Sequence, residues 1–498
     1  MRGAVLGIAV ALAGPAAATP NSAIPWLSEI LTNTAPPRQH EAIPSSSSPS
    51  VIDVTPLTTD QSDGIGLLPT SITGFPRDLW QGMSSLRARK TVAAADFGGV
   101  PENRALLRRL LLSDAVSPVG AGASDAFLLA RIDKLLEIGA LVDAEALLDQ
   151  IDTTTPALFR RWFDIKLLTG RDNAACAALK SMPTLAPGRA VEVFCLARNG
   201  DWDAAELTLH LATELGDIDP YFAEILRFFL DPAEIETATP PPPRYPATPF
   251  DVTLRRGAGL DLTSEHLPIA FSFSEIAPTI PVRYRMETLE RLVRQGLIDP
   301  APLFAAYREE VPAASGGVWD RARFVQDLDR AVTGPAVAEA LGALDAAMSR
   351  IGLRHSAALD QHRRLAELAP SEIPTEAHDL IATYLLLADD RPHAAAWITD
   401  QSPAAIKDAF APHKAVTAAI SGAFARTLPP QRPARAVPAA ENILRAVGLL
   451  AQPAPLDPRM VTGALRILRA SGQDRAARRI AVQYLLLPQE IRDAAQLD

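Results

Sequence analysis

The amino-acid sequence predicts an all-α fold, an α-solenoid of stacked helical hairpins preceded by a disordered N-terminal segment. A helix, turn, helix pattern recurs between residues 126 and 232, with periods of 31 and then 30 residues. Units of about 30 to 35 residues typically stack into solenoids. The chain has 498 residues and is 48 % hydrophobic but only 6 % aromatic. No segment shows a convincing alternation of apolar and polar residues, which is typical of a half-buried strand.

The three repeated units share a glycine, an alanine and a leucine at fixed spacing. An apolar helix runs into the glycine, the alanine follows five residues later, and the leucine comes four residues after that, as in Gly139, Ala144 and Leu148; Gly170, Ala175 and Leu179; and Gly200, Ala205 and Leu209. Residues four apart share one face of a helix. The glycine suits a left-handed helix ending, and the small alanine permits close packing. Each unit therefore predicts one helical hairpin.

Two of the units are followed by a proline at the same offset, Pro156 and Pro187. With these prolines, the three positions resemble the second half of a tetratricopeptide repeat. The resemblance is partial, because the small residue that such repeats carry early in the first helix is replaced here by Ile132, Phe163 and Val193. It implies a tetratricopeptide-like array whose inner helices line an extended surface suited to peptides and protein segments.

Residues 1–18 have the features of a secretory signal peptide. Residues 1–3 precede the apolar run 4–14, and Ala16 and Ala18 supply the small residues of a cleavage site. The run is shorter than the ~18 apolar residues that a membrane-spanning helix needs, and no cysteine stands at the cleavage site to carry lipid. We therefore expect cleavage after Ala18 and a periplasmic mature protein. The alternative is a buried N-terminal helix.

Composition and proline content divide the chain into seven predicted segments. The array ends at a spacer that contains Pro240 to Pro243, and the glycine, alanine pattern returns near the C-terminus at Gly472 and Ala477. The segments are a signal peptide 1–18, a Pro/Ser/Thr-rich disordered segment 19–73, an N-terminal helical repeat array 74–232, a Pro-rich linker 233–249, a middle helical domain 250–427, a Pro-rich break 428–440 and C-terminal helical hairpins 441–498.

Charge limits the class of partner. The formal net charge is −10 and the isoelectric point is near 5.4, with the charges mixed along the chain. Nucleic acid and anionic membranes both require a basic face, so we expect neither as a partner. No later run is long enough to span a membrane, so no transmembrane segment is expected.

A search for catalytic motifs finds no Gly-x-Ser-x-Gly, no phosphate-binding glycine loop and no His-Glu-x-x-His. His355 and His362 lie about two turns apart on one predicted helix, but no third ligand has a matching spacing for a metal. We therefore expect no metal site, no cofactor and no enzyme. The acidic pair Asp389 and Asp390 keeps one alternative open, an enzyme that acts on envelope glycans through a cleft in the array.

Three stretches resemble an uncharacterised family of exported bacterial helical proteins, some of which carry an antifreeze-glycopeptide label. The stretches are Gly-Phe-Pro-Arg-Asp-Leu-Trp ending at Trp80, residues 173–179 and residues 193–197. The label follows from alanine, threonine and proline content, whereas this chain has no regular Ala-Ala-Thr repeat. The resemblance covers most of the chain and implies no activity.

Cys176 and Cys195 are the only cysteines, and we expect them to form a disulfide in an oxidising compartment. Cys176 precedes the predicted helix end at Met182, and Cys195 follows the next predicted helix start near Gly188. Both lie roughly 9 to 10 Å from the shared turn of antiparallel helices, at 1.5 Å per residue. The alternative is a pair of free thiols in the core.

The function predicted from this architecture is a non-catalytic periplasmic scaffold that binds a protein partner in the cell envelope. The inner helices of the three repeats are expected to line the binding surface. The candidate contact residues are charged residues of both signs that should face neither the core nor a neighbouring helix. Such charges contribute more to binding specificity and encounter rate than to affinity. Its members are Arg131, Lys134, Arg161, Asp164, Lys166, Glu192 and Arg198.

Overall fold

The computed structural model describes residues 62–120, 125–151, 155–233, 238–260, 267–277, 280–312, 315–425, 437–452 and 456–488. Within these ranges the chain forms α-helices and short 3-10 segments and no β-strand, which confirms the all-α class. The predicted signal peptide, residues 19–61 of the predicted disordered segment and most of the Pro-rich break lie outside the described residues. The remainder of the segment expected to be disordered, residues 62–73, contains a 3-10 turn at Ser62–Gly64 and a short helix at Thr70–Thr73. None of the described helices is long and apolar enough to cross a membrane.

Eleven α-helices precede residue 260 in the described part of the chain. They are α1 Thr70–Thr73, α2 Ser85–Ala93, α3 Pro101–Leu111, α4 Ala126–Glu137, α5 Leu141–Leu148, α6 Pro156–Leu168, α7 Asp172–Ser181, α8 Arg189–Arg198, α9 Trp202–Leu215, α10 Pro220–Leu230 and α11 Pro249–Gly257.

Twelve further α-helices follow in the described ranges, after a 3-10 segment at Ile269–Ile276. They are α12 Val282–Arg294, α13 Ala301–Glu309, α14 Gly317–Arg330, α15 Gly334–Arg350, α16 Arg354–Ala366, α17 His378–Leu387, α18 Arg391–Ala394, α19 Ala404–Phe410, α20 Ala418–Phe424, α21 Ala439–Leu450, α22 Pro458–Ala470 and α23 Asp474–Leu486.

The three predicted repeats form the hairpins α4–α5, α6–α7 and α8–α9. Each turn glycine adopts the left-handed backbone conformation expected at a helix end, with φ of 79° at Gly139, 69° at Gly170 and 88° at Gly200. The alanine and leucine of every unit are buried between the two helices. The hydroxyl oxygen of Thr155 accepts from the backbone N–H of Leu158 and so caps the start of α6.

The buried apolar residues form two cores that share two helices. The large core draws residues from Phe75 to Leu487, and the small core lies within 159–260. Helix α6 supplies Leu158, Ile165 and Leu168 to the large core and Phe159, Phe163 and Leu167 to the small core. Helix α11 likewise supplies Val252 to the large core and Phe250 and Leu254 to the small core. Helices α6 and α11 are therefore the wall between them.

The C-terminal helices pack against α3, so segments far apart in the sequence meet in the large core. The Asn103 amide donates to the carbonyl oxygen of Val447 at 3.0 Å, and the amide oxygen of Gln483 accepts from the backbone N–H of Glu102 at 2.8 Å. In an open solenoid each unit contacts only its neighbours. The helical hairpins are present, whereas solenoid stacking over the whole chain stays a prediction.

The proline-rich stretch before α11 lies against the small core. Its Arg244 pairs with Asp219 at 2.8 Å, and Arg255 of α11 donates to the carbonyl oxygen of Pro241 at 2.9 Å. Ala247 is buried. These contacts hold residues 241–248 across α10 and α11, which fixes the direction in which the chain leaves the hairpins.

Candidate functional site

The predicted disulfide lies inside the small core. Cys176 on α7 and Cys195 on α8 have sulfur atoms 2.02 Å apart, and their Cα atoms are separated by 4.9 Å. Both side chains are buried among apolar residues. The pair links two consecutive hairpins, since α7 ends the second repeat and α8 begins the third.

Two residues expected to contact a partner are buried instead. Arg131 on α4 is 1 % exposed, and its guanidinium donates to four backbone oxygens at 2.8 to 3.4 Å, those of Asp63, Ile65, Leu111 and Ser113. Burial lowers the pKa of Arg131 to about 10, although Asp63 and Asp114 oppose the shift. Lys134 is buried too and donates to the carbonyl oxygen of Ala95. The expectation that these two side chains face solvent is wrong.

The charged side chains of α6 are also enclosed. Arg161 makes a bidentate pair with Asp133 of α4, at 2.8 and 3.0 Å, and both side chains are buried. Lys166 pairs with Glu145 of α5. Asp164 is buried 3.9 Å from Arg160, and burial raises the pKa of its carboxyl to about 7 against the opposing charges of Arg160 and Arg161.

These side chains are buried because other segments of the chain pack on the inner helices. Helix α2 and the segment Ser62–Gly64 pack on α4, whereas α11 and Ile269–Ile276 pack on α6. The expected open groove along these two helices is therefore filled by other parts of the chain. Charged side chains that the repeat pattern places outside the hairpin core consequently lie between packed elements, where they pair with opposite charges or donate to backbone carbonyl oxygens.

Glu192 and Arg198, on α8, are the two members of the predicted set that stay accessible. Their side chains are 40 % and 34 % exposed, respectively. Glu192 pairs with Arg189, and Arg198 pairs with Asp172 of α7. Their partner-binding role stays a prediction.

A carboxylate cluster at the junction of α3, α17 and α23 is the place where a glycan-active enzyme would be sought. Arg479 lies 3.6 Å from Glu102 and 3.2 Å from Asp389. Glu102 also pairs with Arg109, and Asp389 with Arg475. The adjacent cavity has only about 110 Å³, below the about 300 to 1,000 Å³ of usual ligand pockets. Both carboxylates are paired with arginines, and the cavity beside them is small. This arrangement favours a structural ion-pair cluster over the pair of catalytic carboxylates of a glycosidase.

The outer face of α9 carries an exposed apolar row that no described helix covers. Leu207, Leu211 and Leu215 are spaced four residues apart, so they lie on one face, and they are 59 %, 51 % and 72 % exposed. The opposite face holds the helix on the small core through Ala205, Leu209 and Ala212. We call the three exposed residues the α9 leucine row.

Acidic side chains accompany the α9 leucine row. Helix α9 contains Asp203, Glu206 and Glu214 but no lysine or arginine. Asp203 lies one turn before Leu207, and Glu214 lies one turn after Leu211. All three acidic residues are exposed, and none pairs with a cation in the part of the chain that the structure describes. The face is therefore apolar with an unbalanced negative charge.

The described ranges contain no group of three His, Cys, Asp or Glu side chains that could hold a metal ion. Comparison with known protein families, curated proteins and solved structures finds no match to this chain. The α9 leucine row is therefore chosen as the candidate site from its geometry, without support from a related protein. Its leucine spacing was visible in the sequence beside the Ala205, Leu209 row, but the sequence does not show which of the two faces a neighbour covers.

Proposed function

We propose that this protein is a non-catalytic helical scaffold that binds a protein partner in the cell envelope after export to the periplasm. The observation that carries the proposal is the α9 leucine row. Three large apolar side chains more than half exposed on one helix face are costly to leave in water, and contiguous exposed apolar patches typically mark protein interfaces.

The chemistry of the face indicates the kind of partner. Leu207 and Leu215 are eight residues apart, so the row extends over ~12 Å at the rise of an α-helix. This length suits the apolar side of an amphipathic helix in the partner. Because α9 carries three carboxylates and no cation, complementary lysine or arginine residues beside the partner's apolar side would guide encounter and register.

Export to the periplasm is supported by the cysteine pair and by the features of residues 1–18. A disulfide persists in an oxidising compartment and is rare in the cytosol. N-terminal sequencing of the protein recovered from an envelope fraction tests export. We expect Thr19 as the first residue, whereas an intact Met1 in a cytoplasmic fraction would contradict it.

Site-specific photo-crosslinking tests the partner surface. Leu211→p-benzoylphenylalanine places the photoreactive group in the middle of the row, and Val142→p-benzoylphenylalanine is a matched control at an exposed apolar position on α5. We expect a crosslink to a second protein from Leu211 only, with the linked peptide forming an amphipathic helix that carries basic residues.

The Leu207→Asp substitution in the same protein should abolish that crosslink. A crosslink of equal yield from Val142 would show that capture does not depend on the row. Linkage only to another copy of this chain would replace the partner with self-association, and no crosslink at all would refute the proposed surface.

A further inference from the structure

A cavity of about 360 Å³ lies where α3, α12 and α16 meet, on the side of the molecule built by the large core. Three arginines line it, Arg104, Arg108 and Arg294. We call it the arginine cavity. Its volume falls at the lower end of the about 300 to 1,000 Å³ that small-molecule sites usually have.

The three arginines differ in how far they are satisfied. Arg104 donates to the carbonyl oxygen of Gln295 and lies over the ring of Phe97, and Arg108 pairs with Asp143, which is outside the cavity lining. The Nε atom of Arg294 is buried and has no hydrogen-bond partner. A buried donor without an acceptor costs stability, and such a group requires an explanation in a native structure.

Carboxylates do not balance these charges inside the cavity. Asp299 is the one acidic residue in its lining, and its side chain already accepts from the backbone N–H of Ala301 at 2.8 Å. On α12, Glu290 lies near Arg294 but makes a bidentate pair with Arg321. Burial lowers the pKa of Arg294, the charge of Glu290 opposes this shift, and the neighbouring charge of Arg291 lowers the pKa further. An anion in the cavity would relieve this penalty.

The helix directions add to the positive potential. Helices α3, α13 and α16 all begin at the cavity wall, where their cap or first-turn residues Pro101, Pro300 and Ser356 line the space. Each helix N-terminus carries about half a positive charge. In α3 and α13 the first N–H groups already donate within the chain, that of Glu102 to Gln483 and that of Ala301 to Asp299, so these two termini contribute potential and not free donors. Helix α12 ends there and partly offsets this effect, but its terminal carbonyl oxygen at Gln295 is occupied by Arg104.

The remaining wall is neutral. Burial, together with Arg479, lowers the pKa of His355 to about 4, so its imidazole is uncharged at neutral pH. Gly352 has a φ of 69°, and a Cβ atom there would lie 3.2 Å from the Cδ atom of Arg294, so the glycine leaves room for the arginine stem. The cavity therefore combines cationic donors with neutral surroundings.

We propose that the arginine cavity binds the oxyanion group of a small molecule, a phosphate or a carboxylate. Arg294 would supply the unpaired donor, Arg104 and Arg108 the flanking charge, and the N-terminus of α16 further positive potential. This site is distinct from the α9 leucine row and independent of the proposed scaffold function.

Isothermal titration calorimetry of the full chain at low ionic strength and pH 7 tests the proposal, with sodium phosphate and sodium citrate as probes and sodium chloride as the control. We expect saturable binding of at least one probe that weakens as salt is added. Binding of phosphate alone would identify a phosphate ligand, and binding of citrate alone a carboxylate ligand. Affinities of both probes weaker than about 10 mM would overturn the proposal.

Two substitutions locate the binding. R294Q should weaken the dissociation constant by about tenfold or more, since it removes a charge-assisted donor. R283Q, at the exposed opposite end of α12, is the matched control and should leave the affinity unchanged. L359E adds a carboxylate at an exposed lining position and should weaken binding comparably even if R294Q does not fold. Wild-type affinity in both R294Q and L359E would place the anion elsewhere and refute the assignment.

Discussion

The first repeat hairpin and the next two have the same turn but different surroundings. A Cβ atom on Gly139 would lie 2.7 Å from a methyl carbon of Leu297, whereas Gly170 and Gly200 have nothing within 4 Å at the corresponding position. The first hairpin is therefore covered by the middle of the chain, and the other two turns stay open. The repeat motif determines how each hairpin turns, but residues far away in the sequence determine which of its faces reach solvent.

The two cores also differ in composition. The small core packs aromatic rings around the cysteine pair, with Phe194 centred 5.2 Å from Phe229 and 5.7 Å from Phe250. The large core is built mainly from leucine and alanine and is crossed by buried polar anchors such as Arg131 and Asn103. A small core has less apolar area to bury, so a covalent link and large rings compensate for it.

The largest stability effect is expected from a polar anchor of the large core. Arg131→Met removes the donor that serves four backbone oxygens and leaves them buried. We expect the free energy of unfolding to fall by about 3 to 5 kcal/mol, measured by chemical denaturation. Lys180→Met, at an exposed cation on α7, is the control and should change it by less than about 0.5 kcal/mol. Equal effects of the two substitutions would show that Arg131 is not an anchor.

A somewhat smaller effect is expected from opening the disulfide in the small core. The bridge closes a loop with a sequence separation of 19, and removing such a constraint costs about 3 kcal/mol in the chain-entropy account. The double variant C176S/C195S should lose about this amount, with faster amide exchange in α7 and α8 than in α21 to α23. Dithiothreitol should destabilise the wild type equally and leave the variant unchanged. A loss spread evenly over both cores would contradict the division between them.

The pH dependence of stability should have opposite signs in the two cores. In the small core and its wall, burial raises the pKa of Asp164 to about 7 and that of Asp251 to about 6. Both are then protonated in the folded chain at a pH where the unfolded chain has lost the proton. Their contribution is full below about pH 4, the ordinary range of Asp, and is lost as pH rises towards 7.

His355 in the large core acts the other way. Its lowered pKa, about 4, means that the unfolded chain binds more protons between pH 4 and 6.5, so stability rises with pH in that window. The variant D164N should lose less free energy of unfolding than the wild type as the pH rises from 4 to 7. Each pKa unit corresponds to about 1.4 kcal/mol. Denaturation from pH 4 to 8 measures the difference from wild type, and D203N, on exposed α9, is the control. Parallel curves for D164N and wild type would contradict the shift at Asp164.

The elements that could be predicted from the sequence are those set by local chemistry. Turn glycines and the buried alanines depend on backbone conformation within a few residues, and they are confirmed. The cysteine pair followed from two adjacent helices of known rise. Asp389, between α17 and α18, adopts the left-handed conformation of a turn glycine, with φ of 63°.

The candidate contacts could not be predicted, because they depend on distant segments. Arg131 was expected to face solvent because the repeat pattern places it outside the hairpin core, yet two of its four acceptor oxygens come from Asp63 and Ile65. Similarly, the lining of the arginine cavity brings together residues 98–108, 293–300 and 352–359. Periodicity reports which faces of a helix are apolar or charged, but not which neighbour meets them.

The smallest stability effect should come from the α9 leucine row, and it separates a binding surface from a core. Leu209 and Leu211 are two residues apart on one helix, with the first buried and the second 51 % exposed. Leu209→Ala should cost about 2 to 5 kcal/mol, because it leaves a void in the small core. Leu211→Ala should change the free energy of unfolding by less than about 0.5 kcal/mol. If Leu211→Ala destabilised the protein as much as Leu209→Ala, another part of the chain would cover the row, and the face would belong to the core.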